Sequence, residues 1–311
     1  MRTRVEPGAD RVRRGDLLGA ALIGLASVQF GSVVVLGRIA TRPGGLAISA
    51  LLAYRFAIAA SLLAVVLVVL RQPLAAATGE GWRLALLGIG GYAVEAALFF
   101  AALRHGTAAA VTLLFFTYPV LVSLIALLAG KGLPGWLLGG ALACAVAGAA
   151  VVVLAGGGVE IEGLGVAFAL GSALTFALYL TGAEAVLKRT NSLVGAMWVS
   201  GSAALGLALY AVATGTGQWP EGWGQWGPVL GMAAFTAGAF VCLFAGLRRL
   251  GAVRTSIVAA AEPLMAALLA AIFLGEAVGA GTVAGGILIL AAAIGASLAR
   301  VRGRAGPSVT P

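Results

Sequence analysis

Ten apolar stretches, each about twenty residues long, follow one another along the chain with only short connections between them. A helix needs about 20 apolar residues to cross the roughly 30 Å hydrocarbon core of a bilayer. Only 10% of the residues are charged, against roughly 25% in an ordinary soluble domain. The sequence therefore predicts an all-α polytopic membrane protein with ten transmembrane helices, and it leaves no room for a soluble catalytic or nucleic-acid-binding domain. The predicted spans are 17–37, 47–70, 84–103, 108–129, 135–155, 163–187, 193–213, 227–247, 252–274 and 278–299.

Lysine and arginine are concentrated on one side of this predicted bundle. With ten spans both chain ends share a side, and that side carries 16 cations in the ends and the alternate connections. The other side carries only Arg38, Arg42 and Arg104. Because positively charged loops stay cytoplasmic, we expect both termini in the cytoplasm and a bacterial-type cytoplasmic (inner) membrane location. Topology explains the basic ends, so the expected surroundings are the lipid bilayer and no nucleic acid.

The second half of the sequence repeats the first. Matching pairs at a separation of 144 or 146 residues are Phe30 and Phe176, Thr112 and Ser256, and Pro119 and Pro263. These matches predict two five-helix repeats, 16–156 and 157–300, between a basic cytoplasmic N-terminus (1–15) and a basic cytoplasmic tail (301–311). Because five is odd, the repeats are inverted in the membrane. Inverted repeats recur in secondary transporters, with the binding site near the midplane between the repeats.

Two prolines lie deep in equivalent spans. Pro119 is in the fourth span and Pro263 in the ninth. Each lacks an amide donor and frees a backbone carbonyl, which is costly in hydrocarbon unless another group meets it. A matched pair favours hinges that bend during transport or line a cavity, and the alternative is two static kinks.

Paired glycines begin the fifth and tenth spans, Gly135 with Gly139 and Gly281 with Gly285. Small residues four apart let helices approach closely. We expect these faces to pack within the chain, which favours a monomer, and the alternative is a homodimer contact.

Ionisable residues inside spans are candidates for function, because a buried unpaired charge is expensive. Arg55 and Glu95 lie at matching depth on consecutive spans. They are predicted to form an ion pair, which either stabilises the bundle or binds substrate or a proton, and Arg55 has the further alternative of extending toward the surface. Glu184 has Lys188 four residues later, which favours a surface pair.

Glu262 precedes Pro263 at the depth of the bilayer midplane. A carboxyl there is a candidate proton carrier or amine-binding group, so proton coupling is a further expectation. The alternative is a protonated or hydrogen-bonded carboxyl that holds the kinked helix.

Aromatic and polar side chains share faces of several spans. Pockets for small molecules are mostly apolar with a few convergent polar groups, so these residues are predicted to line a central cavity, although packing is the common role of such aromatics. The candidates are Gln29, Phe30, Tyr92, Phe99, Thr112, Phe115, Phe116, Phe176, Tyr179 and Ser256.

Residues for metal, redox or hydrolytic chemistry are sparse. Cys144 and Cys242 each stand alone in an apolar run, and His105 is the only histidine. The sequence lacks GxxxxGK[ST], HExxH and GxSG. We therefore expect no metal site, no cofactor and no enzymatic activity.

Two segments resemble the EamA-type family of the drug/metabolite transporter superfamily. They are Ala101–Pro119, AALRHGTAAAVTLLFFTYP, and the later run of EPLM from Glu262, FLGE from Phe273 and GGILIL from Gly285. The first half departs from the family pattern, with Gly130–Lys131 where a glutamate is usual. The resemblance implies a membrane transporter, and the aromatic candidates resemble those of YddG-type amino-acid exporters.

These observations together predict a secondary transporter, gradient-driven or facilitative, that exports small metabolites through a central cavity by alternating access. Amino acids, including aromatic ones, are the favoured substrates. The alternatives are other metabolites, drugs or nucleotide sugars, a passive channel, and an intramembrane enzyme.

Overall fold

The computed structural model describes residues 7–41, 45–132, 134–155, 160–275 and 278–298, and these ranges are helical apart from short connections. Ten helices are long and apolar enough to cross a membrane, as predicted. Spans 1 to 10 are Arg14–Ala40, Ile48–Val69, Gly81–Ala102, Ala110–Leu128, Trp136–Ala155, Gly163–Val186, Ser192–Ala213, Gly222–Leu250, Ala252–Leu274 and Ala280–Leu298. The helix of span 1 begins earlier, at Pro7. We call the face where span 1 begins and span 10 ends the terminal face, and the other the opposite face.

The core lies between the two repeats. Span 1 packs against span 8, span 2 against span 7, span 3 against span 6, and span 5 against span 10. Every one of these pairs joins the first five spans to the second five. The halves are therefore interleaved around a shared centre.

Burial repeats along the chain together with the sequence. In span 2 Arg55, Ala59 and Leu63 are buried, and the residues 144 positions later in span 7 are buried as well. Those residues are Val199, Ala203 and Leu207. The two spans thus occupy corresponding places in their repeats.

Spans 4 and 9 are each broken in two at the prolines. Span 4 consists of the helices Ala108–Phe115 and Tyr118–Leu128, and span 9 of Ala252–Ala259 and Glu262–Leu274. Pro119 and Pro263 lie in the first turn of the second helix, where a missing amide costs least. Both repeats therefore bend their fourth span at the same place.

Span 3 contains a π-helical segment that the sequence analysis did not predict. It covers Leu87–Ala93, between the α-helices Gly81–Leu86 and Val94–Ala102. Before it, buried Leu84 corresponds to buried Val229 of span 8, 145 residues later, whereas after it Ala96 corresponds to Phe240, 144 residues later. Span 3 thus holds one extra residue, which is the signature of a π bulge.

Glycines join span 5 to span 10. A Cβ on Gly285 would lie 2.6 Å from the carbonyl oxygen of Gly148, and one on Gly281 would lie 2.6 Å from Ala155 Cβ. The predicted packing within the chain is therefore present for the second glycine pair. Gly135 and Gly139 have no neighbour within 4 Å of an added Cβ among the residues described, so the first pair does not pack in this way.

Replacing Gly285 with leucine should destabilise the protein. The added side chain must displace the Gly148 backbone, and overpacking of this kind costs about 1–3 kcal/mol. Thermal unfolding of purified protein in detergent measures the loss. Gly139→Leu is the matched control, because the same side chain enters open space there, and an equal loss in both variants would contradict the assignment.

Candidate functional site

Arg55 on span 2 is buried at the junction of the repeats, with 6% of its surface exposed. Its Nε donates a 2.6 Å hydrogen bond to Oγ1 of Thr236 on span 8, and its guanidinium carbon lies 4.6 Å from the centre of the Phe56 ring. The Thr236 hydroxyl in turn donates to the carbonyl of Met232 at 2.6 Å. The guanidinium is therefore held inward between the two repeats rather than extended toward the surface.

Glu95 on span 3 is buried beside this group. Its Oε1 accepts a 3.1 Å hydrogen bond from Oγ of Ser172 on span 6. No salt bridge within 4 Å joins Glu95 to Arg55, although both side chains lie within the described ranges, so the predicted direct ion pair is wrong. Each group instead satisfies part of its hydrogen-bonding capacity with a hydroxyl from the other repeat, and the two charges interact at longer range.

Glu262 is the third charged group of this centre. It begins the second helix of span 9, where the helix dipole favours a carboxylate. It interacts electrostatically with Arg55, Glu95 and Tyr92. Two carboxylates therefore lie within electrostatic range of one guanidinium, and we call this set of three the charged centre of the protein.

Aromatic rings surround the charged centre in a continuous chain of contacts. Tyr92 lies 5.0 Å from Phe56, 5.2 Å from Phe240 and 5.7 Å from Tyr179, measured between ring centroids. Further ring contacts, both stacked and edge-on, extend this cluster. They join Tyr179 to Phe176, Phe176 to Phe115 and Tyr118, Phe115 to Phe99 and Phe116, and Phe240 to Phe30.

Two buried polar atoms of this region have no hydrogen-bond partner. They are Oε1 of Gln29 and the hydroxyl of Tyr179. Gln29 lies against Gly238 of span 8, where an added Cβ would be 2.5 Å from its amide nitrogen. Unsatisfied polar atoms are rare in protein interiors, and they mark places where a ligand or water would be stabilised.

Thr112 and Ser256, the matched hydroxyls, make no hydrogen bond to a member of the charged centre among the residues that the structure describes. Ser256 is fully buried and donates to the carbonyl of Val253 at 2.8 Å. Its own carbonyl accepts a long 3.4 Å hydrogen bond from the Tyr118 hydroxyl. Thr112 is half-buried one turn before Phe116, whose amide donates to the Thr112 carbonyl at 2.9 Å.

The sequence analysis missed five side chains of the site. Ser172 and Thr236 bind the charged groups, and Phe56, Tyr118 and Phe240 complete the aromatic cluster. The two hydroxyls carry no distinguishing signal, because others in the spans, such as Thr175, bond only to their own helix. The aromatics resemble ordinary packing residues in apolar runs.

At the terminal face, ionic contacts join the repeats. Arg254 of span 9, which is buried, lies 3.1 Å from Asp16 of span 1 and donates to the carbonyl of Ala296 at 2.7 Å. Glu184 of span 6 pairs with Lys131 at 2.9 Å, so the expected pair with Lys188 is wrong. The second oxygen of Glu184 accepts the amide of Ala252 at 3.1 Å.

A third contact at this face is centred on Glu80, which precedes span 3. Its carboxylate accepts hydrogen bonds from the amide and hydroxyl of Thr190 and from the amide of Arg189. Burial alone raises the pKa of Glu80, but these hydrogen bonds outweigh it and hold that pKa below its ordinary value of 4.5. Arg189 also donates to the carbonyl of Thr78 at 2.6 Å.

At the opposite face, the connections of the two repeats pair through their backbones. Gly106 and Ile161 form an antiparallel bridge. His105 Nδ1 lies 2.9 Å from Glu162 Oε2, beside this bridge. Glu162 corresponds to Asp16 at a separation of 146 residues, so equivalent acidic residues join the repeats at both faces.

The chain is similar to known proteins over both of its repeats. A model of the EamA-like transporter family matches residues 17–154 and 163–298. No curated protein matches the chain significantly, whereas 27 chains of solved structures do. One of these, a crystal structure, is 24% identical and superposes with a TM-score of 0.76 over 90% of this chain and 98% of the other. This likeness shows the fold.

Glu80→Gln should destabilise the protein at neutral pH and progressively less in acid. A carboxyl whose pKa is lowered on folding contributes stability above its unfolded pKa, and that contribution disappears as the pH falls through the folded value. Thermal unfolding of variant and wild type between pH 7 and pH 3 measures the difference. Exposed Glu221→Gln is the control, and a constant difference for Glu80→Gln across this range would contradict the prediction.

Proposed function

Because the chain belongs to the EamA-like transporter family, whose members transport drugs and metabolites, we propose that it exports amino acids, including aromatic ones. The observation that supports this is the charged centre enclosed by aromatic rings at the junction of the repeats. A guanidinium beside two carboxylates offers both signs of charge to one small molecule. The aromatic cluster offers an apolar surface to its side chain.

A zwitterion fits this arrangement of charges. Its carboxylate would bind the terminal N–H groups of Arg55, since guanidinium and carboxylate are complementary in geometry. Its ammonium would bind Glu262 or Glu95, with Tyr92 nearby to add a cation–π contact. Gln29 and Tyr179 supply unsatisfied polar atoms for further hydrogen bonds.

The same charges support proton coupling. Two carboxylates and one guanidinium leave an excess negative charge in an apolar interior, where an uncompensated charge is expensive. A proton or a substrate ammonium neutralises it, and the two would compete for the same carboxylate. Export would then exchange one substrate for protons from the far side.

Alternating access is the mechanism we propose. Both broken spans contribute to the site: span 4 supplies Phe115 to the aromatic cluster, and span 9 supplies Glu262 to the charged centre. The contacts at the two faces join the same two halves, so opening either face would require breaking the contacts there. We further propose that the termini are cytoplasmic in a bacterial inner membrane and that the protein acts as a monomer.

Other metabolites, drugs and nucleotide sugars are the second candidate class. A strongly anionic substrate would call for several cations at the centre, whereas Arg55 is the single cation of the charged centre. A passive channel is the second candidate mechanism. Substrate on the far side of the membrane accelerates transport by a carrier but not by a pore, so counterflow distinguishes the two mechanisms.

Counterflow of radiolabelled L-phenylalanine into proteoliposomes tests the proposed function. Wild type should concentrate label when loaded with unlabelled L-phenylalanine, and Arg55→Gln and Glu262→Gln should lower the rate by more than about tenfold, as expected for lost charge-assisted contacts. Arg71→Gln, which removes an exposed cation at the terminal face, is the control. If wild type showed counterflow of a nucleotide sugar or a quaternary amine but of none of the twenty amino acids, the proposed substrate class would be overturned.

The prolines provide a separate test of the mechanism. Pro119→Ala and Pro263→Ala supply the amide that would let the two helices of each span join through a backbone hydrogen bond, and a bond of ~1 kcal/mol that must break during bending would slow counterflow about fivefold. Equilibrium binding of L-phenylalanine should stay close to that of wild type. Unchanged counterflow in both variants would show that these prolines are static kinks.

A further inference from the structure

A cavity of about 290 Å³ lies between spans 2, 3 and 7 near the opposite face. Its floor is apolar and includes Leu52, Ala97 and Leu207. Arg104 and Tyr210 stand at its rim. The cavity is distinct from the charged centre, because Ala97 lies on a different side of span 3 from Glu95.

The cavity exists because spans 3 and 7 diverge toward the opposite face. Span 7 packs against the first part of span 3, Gly81–Ala93, but has no comparable packing against the second part, Val94–Ala102. The second part packs against span 6 instead. Ile48, an apolar residue whose side chain is exposed, lines the gap, so the gap has an apolar opening at the surface of the bundle.

The other repeat closes the corresponding place with its own residues. At a separation of 144 residues Arg104 corresponds to Arg248, and Phe100 to Phe244. Phe244 is fully buried, and Nη1 of Arg248 donates to the carbonyl of Thr190 at 3.0 Å. At the terminal face, side chains of the protein itself therefore occupy the place that corresponds to the cavity.

Arg104 has no such partner. Its guanidinium makes no hydrogen bond or ion pair with any residue that the structure describes, and it is exposed at the rim of the cavity. An unpaired cation above an apolar floor is complementary to an amphiphile with an anionic head. A soluble anion would bind the cation and leave the floor uncovered.

We propose that this cavity binds one anionic phospholipid from the leaflet at the opposite face. The phosphate binds Arg104 and the Tyr210 hydroxyl at headgroup depth, and an acyl chain covers Leu52, Ala97 and Phe100 between the diverging spans. A cation near the membrane surface attracts anionic lipid headgroups. The site is independent of the substrate proposed above, and its failure would leave that proposal intact.

Native mass spectrometry of the full chain in detergent tests the site, with phosphatidylglycerol and phosphatidylcholine of identical acyl chains as probes. Wild type should bind a first phosphatidylglycerol about fivefold more tightly than Arg104→Gln does, the effect expected for one arginine near an anionic headgroup. Wild type and Arg104→Gln should bind phosphatidylcholine with equal affinity. Ala97→Leu, which fills the floor, should weaken the binding of both lipids.

Arg83→Gln is the matched control, since it removes an exposed cation at the terminal face, which lies over the adjacent Trp82 ring. An equal loss of phosphatidylglycerol in Arg83→Gln and Arg104→Gln would show nonspecific attraction by net charge and overturn the proposal. The proposal would also be overturned if Arg104→Gln bound phosphatidylglycerol as tightly as wild type does. Glycerol phosphate that binds as tightly as phosphatidylglycerol would show a soluble-anion site instead.

Discussion

Hydrocarbon offers no hydrogen bonds, and this constraint governs the polar groups at the centre of the bundle. Arg55 and Glu95 both come from the first repeat, yet each is hydrogen-bonded to a hydroxyl of the second, Thr236 and Ser172. The repeats are therefore joined at their centre by polar contacts as well as by apolar packing. Any relative movement of the halves must replace these contacts, and a bound zwitterion or water would supply the replacements.

The spans and the repeat could be predicted because long apolar runs and matched prolines are visible in the sequence. Arg55, Glu95 and Glu262 could be found because ionisable residues are rare in hydrocarbon. The partner of Glu184 could not, because sequence proximity favoured Lys188 while folding brings Lys131 within 2.9 Å. The hydroxyls of Ser172 and Thr236 were also missed, since a hydroxyl in a helix commonly bonds to its own backbone.

The two faces of the protein are closed by equivalent acidic residues with unequal partners. Asp16 meets Arg254, which is 4% exposed, whereas Glu162 is 74% exposed beside His105. Asp16 itself is 25% exposed, and a partly buried pair is less screened by solvent than an exposed one, so it contributes more to the closure of its face. The opposite face is also held by the backbone bridge of Gly106 and Ile161, by a hydrogen bond between the hydroxyls of Ser49 and Thr216, and by one from the Ala47 amide to Gln218. Hydrogen bonds therefore contribute more to the closure of this face than its ion pair does.

The extra residue of the π segment also affects how the two repeats could diverge from one origin. One extra residue in an unbroken α-helix would turn everything beyond it by about 100°, whereas the π segment Leu87–Ala93 absorbs that residue, so both ends of span 3 keep the orientation of their counterparts in span 8. Glu95 then occupies the place that Ala239 holds in span 8, and the two repeats present different chemistry to one centre while their outer packing is kept. A gene can therefore gain one codon in this segment without losing the packing on either side of it, and the charge of Glu95 is a separate change by substitution.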